Sequence, residues 1–331
     1  MKQLFFILIV FFALVAKVTA GTSPAIIFSQ DVVAIDAEGN MLPATVIDPK
    51  TIAAMQTHDF DLGRERLLRI ETNIQDAEDR GLNDVVATVR RCYSYIETST
   101  GLLLNRGVLL YMIELDEIPY AYSFHASYND ASQWGEVRLA LIERGSSLSG
   151  KEAMAGLNDF LYDTLPHELG HDVLDGIPQL VHDIDGNASN HTRWFIEGVC
   201  EELAKGFSQR EVPVLHGNFL SLRNVDTVLS EKQMGADMLT WAQNNENGVV
   251  IESNLYGAAM LTMMVWTETV PLKELLKQLR ARSEPAYGPD LLAMMQKTTG
   301  VDPQEMIKRA HSYGRSLKEK VVLAKLDINK N

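Results

Sequence analysis

Cysteine is scarce in this chain of 331 residues, which contains only Cys92 and Cys200. A fold stapled by several disulfides is therefore excluded. Both cysteines fall in helical patterns, so two buried apolar thiols are the favoured reading and a single bridge the alternative. Basic residues are also in the minority, 30 Lys and Arg against 44 Asp and Glu, and they form no cluster. Binding to nucleic acid or to an anionic membrane surface depends largely on clustered Lys and Arg, so neither is expected as a partner. Internal repeats, low-complexity tracts and Pro/Ser-rich linkers are missing too, so no linker marks a domain boundary. Hydrophobic residues at 46% and charged residues at 22% remain ordinary for a folded chain.

There is one pronounced apolar run, and it is short. Lys2, the run Leu4 to Ala16 and then Val18-Thr19-Ala20 have the three regions of a secretory signal peptide. The run falls short of the roughly 20 residues a membrane-spanning helix needs. Cleavage after Ala20 is expected, giving a secreted or periplasmic protein with no stable membrane insertion. Loss of Lys2 and Lys17 would leave 28 basic residues against 44 acidic ones, a net charge of −16.

Periodicity supplies the rest of the organisation. After an irregular opening with a turn at Glu38-Gly39-Asn40, helical spacing runs from Arg64 to Asp79 and from Asn83 to Glu97, broken by Gly81. Short apolar runs follow, Val108 to Leu115, Tyr120 to Ala126 and Glu136 to Ile142, and read as strands of a small sheet. The alternation of Tyr120, Tyr122 and Phe124 reads as a packed sheet face. Beyond Gly150 the pattern is helical: Lys151–Leu174, Arg193–Lys205, Ser230–Gln243, Asn254–Thr267, Leu272–Ala281, Leu291–Thr298 and Pro303–Lys318. Strands first and helices later predict an α+β fold without alternating βαβ units. The expected division is a helical or irregular region over 21–100 and a catalytic domain with a helical tail over 101–331.

Histidine is rare, with eight residues, yet two of them stand in Leu165-Pro166-His167-Glu168-Leu169-Gly170-His171-Asp172. His167 and His171, four apart, project from one helix face and form a two-point clamp for a single ion. Glu168 stays on the same side, close enough to take a proton from water without becoming a ligand. A catalytic zinc keeps three protein ligands and one open position, so a third ligand is required. Glu197 is the candidate, in Trp194-Phe195-Ile196-Glu197-Gly198-Val199-Cys200-Glu201-Glu202, behind Asn190 and Thr192 as caps. Glu201, four residues on, can accept the N–H of a ligating imidazole, although a solvated acidic face would give the same pattern.

The pairing of H-E-L-G-H with W-F-I-E-G-V-C-E-E resembles the gluzincin metallopeptidases, most closely their peptidase MA-like branch, over about Leu165 to Glu202. The resemblance implies a zincin-like fold with one zinc ion, ligands His167, His171 and Glu197, Glu168 as catalytic base and Glu201 behind a histidine. It is looser over Tyr256 to Ala310. Tyr256 lies 59 residues after Glu197, where the resemblance implies an oxyanion-stabilising tyrosine. An aromatic on the apolar stretch Leu255–Trp266 also fits a core position with its hydroxyl tied off. Pro166, Cys200 and Glu202 depart from the family pattern, and Pro166 predicts a helix that is kinked or restarts there with Thr164 as cap. His182-Asp183-Ile184-Asp185-Gly186-Asn187 has aspartates at alternate positions as a calcium loop does, but it lacks the closing glutamate and reads as a polar loop. Asn187 and Asn190 each head an N-x-S/T triplet.

These residues predict an exported zinc peptidase acting on peptide or protein substrates, and the resemblance implies that a strand such as Glu136–Ile142 can dock an extended substrate by strand addition. The alternatives are a zinc-holding binding module without chemistry and a hydrolase of non-peptide amides. An intact Glu168 argues against the first, and no sequence feature separates the second from a peptidase.

Overall fold

The computed structural model describes residues 34–35, 41–42, 55–116, 123–126, 134–149, 155–181, 192–213, 229–241, 244–245, 248–249 and 252–328. The segment 1–20, the turn at Glu38-Gly39-Asn40, Tyr120, Tyr122 and the whole of 182–191 lie outside them. Residues 1–55 and 56–331 are separate compact units. In the first, β1 (Ala34–Ile35) pairs antiparallel with β2 (Met41–Leu42).

The second unit is built on a mixed five-stranded sheet of β3 (Gln56–Gly63), β4 (Arg66–Thr72), β5 (Gly107–Leu115), β6 (Ser123–Ala126) and β7 (Trp134–Glu143), in the order β3-β4-β5-β7-β6. The outer pairs are antiparallel and the two inner pairs parallel. The small mixed sheet followed by helices agrees with the α+β expectation at that level. Three details differ.

Arg64 to Asp79 does not form the expected helix. Arg66, Leu68 and Ile70 are buried in alternation with half-buried Leu67 and Arg69, which is the period of a strand. The stretch turns back on β3 through Gly63, Arg64 and Glu65, all at positive φ. Apolar residues at 67, 68 and 70 fit either period, and β3, a polar strand, gives no local signal for the pairing that decides it.

The helix α1 (Leu82–Thr100) joins β4 to β5 as a crossover between parallel strands. One βαβ unit is therefore present, and strands and helices are not fully segregated. Finally, β7 is an interior strand. Its residues Val137–Ala140 pair with β6 on one side and its whole length pairs with β5 on the other. Val137–Ala140 of the expected docking strand Glu136–Ile142 therefore cannot receive a substrate strand, because their backbone is paired on both sides, and β6 is the edge on that side among the described strands.

The remaining elements are helical. A short helix α2 (Ala155–Asp159) runs into a π-turn over Phe160–Thr164 and then α3 (Leu165–Asp175). Pro166 explains the junction: it has no N–H, and it falls in the first turn of α3, where none is needed. The N–H of Leu165 reaches back five residues to the carbonyl of Phe160, so the chain restarts as α3 without leaving the helical region. Thr164 is the N-cap residue but makes no side-chain cap bond. Helix α4 (Arg193–Glu211) follows, then α5 (Glu231–Gln233), capped by Ser230, and a π-turn Met234–Met238. After the two-residue pair β8 (Asn244–Asn245) and β9 (Gly248–Val249) come α6 (Glu252–Thr267), α7 (Leu272–Arg280), α8 (Gly288–Thr299) and α9 (Pro303–Ile328).

Two glycines set how closely the central helices approach. A Cβ at Gly170 on α3 would lie 3.0 Å from the Cys200 sulfur and 3.1 Å from its Cα on α4. A Cβ at Gly198 on α4 would lie 2.8 Å from the Ala259 carbonyl oxygen and 2.6 Å from Met263 on α6. Both contacts include backbone, which cannot rotate away. Gly198→Ala should therefore lower stability by about 1–3 kcal/mol, the usual cost of overpacking a dense core. Denaturant unfolding checks this, and an unchanged midpoint would mean that α4 and α6 have room to part.

Candidate metal centre

Helix α3 divides its residues between two tasks. Leu165, Leu169 and Val173 are buried at intervals of four and dock it into the core, while His167 and His171 stand on another face. Arg106, just before β5, ties down the far half of the helix by ion pairs to Asp172 and, at 3.2 Å, to Asp175. Helix α4 lies across this face and is buried nearly all round. In that apolar setting Glu197 is 7% exposed and Glu201 is 1% exposed. A carboxylate so placed is costly unless positive charge or hydrogen bonds meet it.

The charge comes from α3. His167 Nε2 and His171 Nε2 are 3.2 Å apart, and Glu197 Oε2 stands 3.4 Å from the first and 3.5 Å from the second. Glu197 Oε2 is buried and makes no hydrogen bond within the protein. Behind the triangle, Glu201 Oε1 is 3.1 Å from His167 Nδ1. Glu168 follows His167 on α3 and is half-buried. Tyr256 on α6 is also here, its ring centroid 6.2 Å from that of His167. The structure thus brings the sequence candidates His167, His171, Glu197, Glu201 and Tyr256 into one cluster.

A tetrahedral zinc with ligand bonds of about 2.0–2.1 Å has ligand–ligand edges of roughly 3.3–3.4 Å. The triangle edges of 3.2, 3.4 and 3.5 Å match one face of that tetrahedron. A second candidate for the third position is Cys200, whose sulfur lies with the histidine ligand atoms in a group spanning no more than 4.8 Å. It is fully buried against Gly170, and burial pushes its thiol well above the ordinary range. Cys92 is likewise buried, and the two cysteines are not bridged.

Two residues here carried no sequence signal. Arg193, in the first turn of α4, donates from Nε to Glu197 Oε1 at 3.4 Å and from Nη2 to the Tyr256 hydroxyl at 3.3 Å. Its guanidinium lies 4.9 Å from the Trp241 ring centroid, and Trp241 meets the Tyr256 ring edge-on at 5.2 Å. An arginine–glutamate pair four apart on a helix ordinarily signals only surface support. A cavity of about 460 Å³ on another face of α4, lined by Tyr95, Glu202, Lys205 and Tyr313 among others, shares none of these residues. Glu202 sits there with Thr267 Oγ1 donating to it at 3.1 Å, and burial pushes its carboxyl up.

Without a metal ion, protons must supply the positive charge. Burial pushes the His167 pKa down, but Glu201, Glu197 and Glu168 outweigh it and bring it up to about 10. Burial pushes Glu197 up, but the His167 and His171 imidazoles facing it hold it well below the usual carboxylate range. For His167, with a folded pKa above its ordinary 6.5, the stabilisation is complete below 6.5 and is lost as pH rises toward 10. For Glu197, depressed below its ordinary 4.5, the stabilisation holds above 4.5 and is lost as pH falls. The chelator-treated protein should therefore lose stability steadily between about pH 6.5 and about 10. Glu201→Gln should flatten that slope, because it removes the largest influence holding the His167 proton. Denaturant midpoints across this range decide, and a slope unchanged in Glu201→Gln would break the assignment.

No protein-family model matches the chain, and no curated protein matches it. Among solved structures it is similar to the crystal structure of an aminopeptidase N family protein from Idiomarina loihiensis, with a TM-score of 0.48 and 13% identity, over 77% of this chain and 46% of that one. It is also similar to native yeast LTA4 hydrolase, with a TM-score of 0.35 and 13% identity, over 80% of this chain and 37% of that one. The chain spans less than half the length of either protein. Likeness of this degree assigns no role to any residue.

Proposed function

We propose that this chain is a zinc-dependent hydrolase acting on peptide bonds, with His167, His171 and Glu197 as the metal ligands. The observation that carries the reading is the triangle of His167 Nε2, His171 Nε2 and Glu197 Oε2, whose edges suit one zinc ion. Glu197 is preferred to Cys200 because its Oε2 stands 3.4 and 3.5 Å from the two histidine nitrogens, whereas the Cys200 sulfur is packed against Gly170 in the contact between the helices. When bound, zinc supplies a Lewis acid that polarises a carbonyl and acidifies water.

The chain's own residues have distinct tasks. Glu168, one position after the first ligand, takes the proton of the attacking water and passes it to the leaving amine. Glu201 Oε1, 3.1 Å from His167 Nδ1, can accept its N–H and so fix the tautomer in which Nε2 offers its lone pair to the centre. Tyr256 presents its hydroxyl beside His167 and Arg193, where it can donate to a developing oxyanion. Export rests on the signal-like residues 1–20, and the helical tail beyond Tyr256 is proposed as part of the same catalytic unit.

Zinc content and peptide hydrolysis measured on the same samples test the reading. One zinc per chain is expected, lost in Glu197→Ala. Glu168→Gln should keep its zinc and lose about 10²–10⁴-fold in hydrolysis of a mixed peptide library. Full zinc with no peptide cleaved would move the protein to the binding module or the non-peptide amidase. No zinc would sink the proposal.

A further inference from the structure

Arg193 touches both a proposed metal ligand and Tyr256. From the first turn of α4 it reaches Glu197 Oε1 on the next turn and the Tyr256 hydroxyl on α6. The oxygen it holds is the one that does not face the imidazoles. A carboxylate gripped by one oxygen is oriented at the other, and here the other is Oε2, 3.4 and 3.5 Å from the histidine nitrogens.

Trp241 supports the guanidinium, and its backbone is unusual. It is a bulky residue at φ 51°, in the left-handed region that such residues avoid. Strain of this kind persists only where the surroundings over-determine it, and it gathers at working sites. The ring that this backbone delivers lies 4.9 Å from the guanidinium and edge-on to Tyr256 at 5.2 Å, with planes 87° apart. The indole thus limits the positions open to both partners.

We propose that Arg193, seated on Trp241, is a positioning residue that orients Glu197 toward the metal and fixes the Tyr256 hydroxyl beside it. The inference rests on the zinc-centre reading above. A guanidinium is required because two acceptors on different helices are held by two separate N–H groups of one planar fork, which a lysine ammonium cannot reproduce.

The test uses the full chain and three variants, Arg193→Met, Arg193→Lys and Glu197→Ala, with zinc affinity read by chelator competition and geometry by the visible spectrum of the cobalt-substituted protein. Arg193→Met should weaken zinc binding about 10–100-fold, as loss of a group orienting a ligand typically does, and should alter the cobalt spectrum. Arg193→Lys should show a smaller shift of the same kind. A merely structural arginine would lower the melting point of the metal-free protein and leave zinc affinity and the cobalt spectrum as in the wild type. Wild-type affinity and spectrum in Arg193→Met overturn the inference while leaving the zinc centre standing. If Arg193→Met does not fold, wild-type affinity and spectrum in Arg193→Lys overturn it equally. A wild-type chain that binds no zinc removes the centre and this inference together.

Discussion

The centre depends on how closely α3 and α4 approach. Imidazoles and a carboxylate from two helices meet within about one ligand–ligand edge only if the backbones come nearer than side chains normally allow. Gly170 lies between the two histidines, and Cys200 lies three residues after Glu197, and these two positions face each other. The residue that could be read as a rival metal ligand is thus the one that fills the contact. Gly198 does the same on the other side of α4, letting α6 come close enough to place Tyr256 beside His167. Dense interiors transmit such constraints with little slack.

What could be read in advance follows the range over which each feature is determined. His167, Glu168 and His171 share one helix, so their convergence is a property of helical geometry and of the local string alone. Glu197 and Glu201 were recognisable because acids interrupt an otherwise apolar helix, which is costly without a counter-charge. Pro166 gave notice of a junction, and the junction is there, although no sequence rule distinguished a π-turn from a kink or a capped restart. Arg193 and Trp241 were invisible for a physical reason. Their importance lies in contacts with α6 and with each other, and an Arg-x-x-x-Glu pair looks the same on any exposed helix.

The sheet shows the opposite limit. The apolar residues of β4 fit both a helix and a strand period, and its partner β3 is polar. The pairing that settles the matter joins residues such as Phe60 and Leu68 through a turn whose positive-φ residues include Arg64 and Glu65. Gly63 is the one residue of that turn of the type that ordinarily flags it, and the two charged residues at positive φ after it obscure the hairpin. On the other side of β5, the pairing of β6 with β7 makes β7 an interior strand and removes it as a docking edge.

Charge balance connects these parts. Glu197 and Glu201 are buried on one helix with Glu168 on another, and Arg193 and two imidazoles are the groups able to carry positive charge that are seen in contact with that pair. Buried ion pairs give little net stability, because desolvation consumes most of the attraction. An arrangement that concentrates carboxylates where they are expensive is therefore poorly explained as a fold-stabilising device. The raised His167 pKa expresses the same imbalance, since the site draws protons to itself when protons are the only cations to hand. A divalent cation at the triangle would meet the same demand with one charge centre and leave both imidazoles neutral, the form in which they are ligands. Protons and metal then compete for a single place, and the geometry that favours the metal is the one fixed by two glycines and held by an arginine.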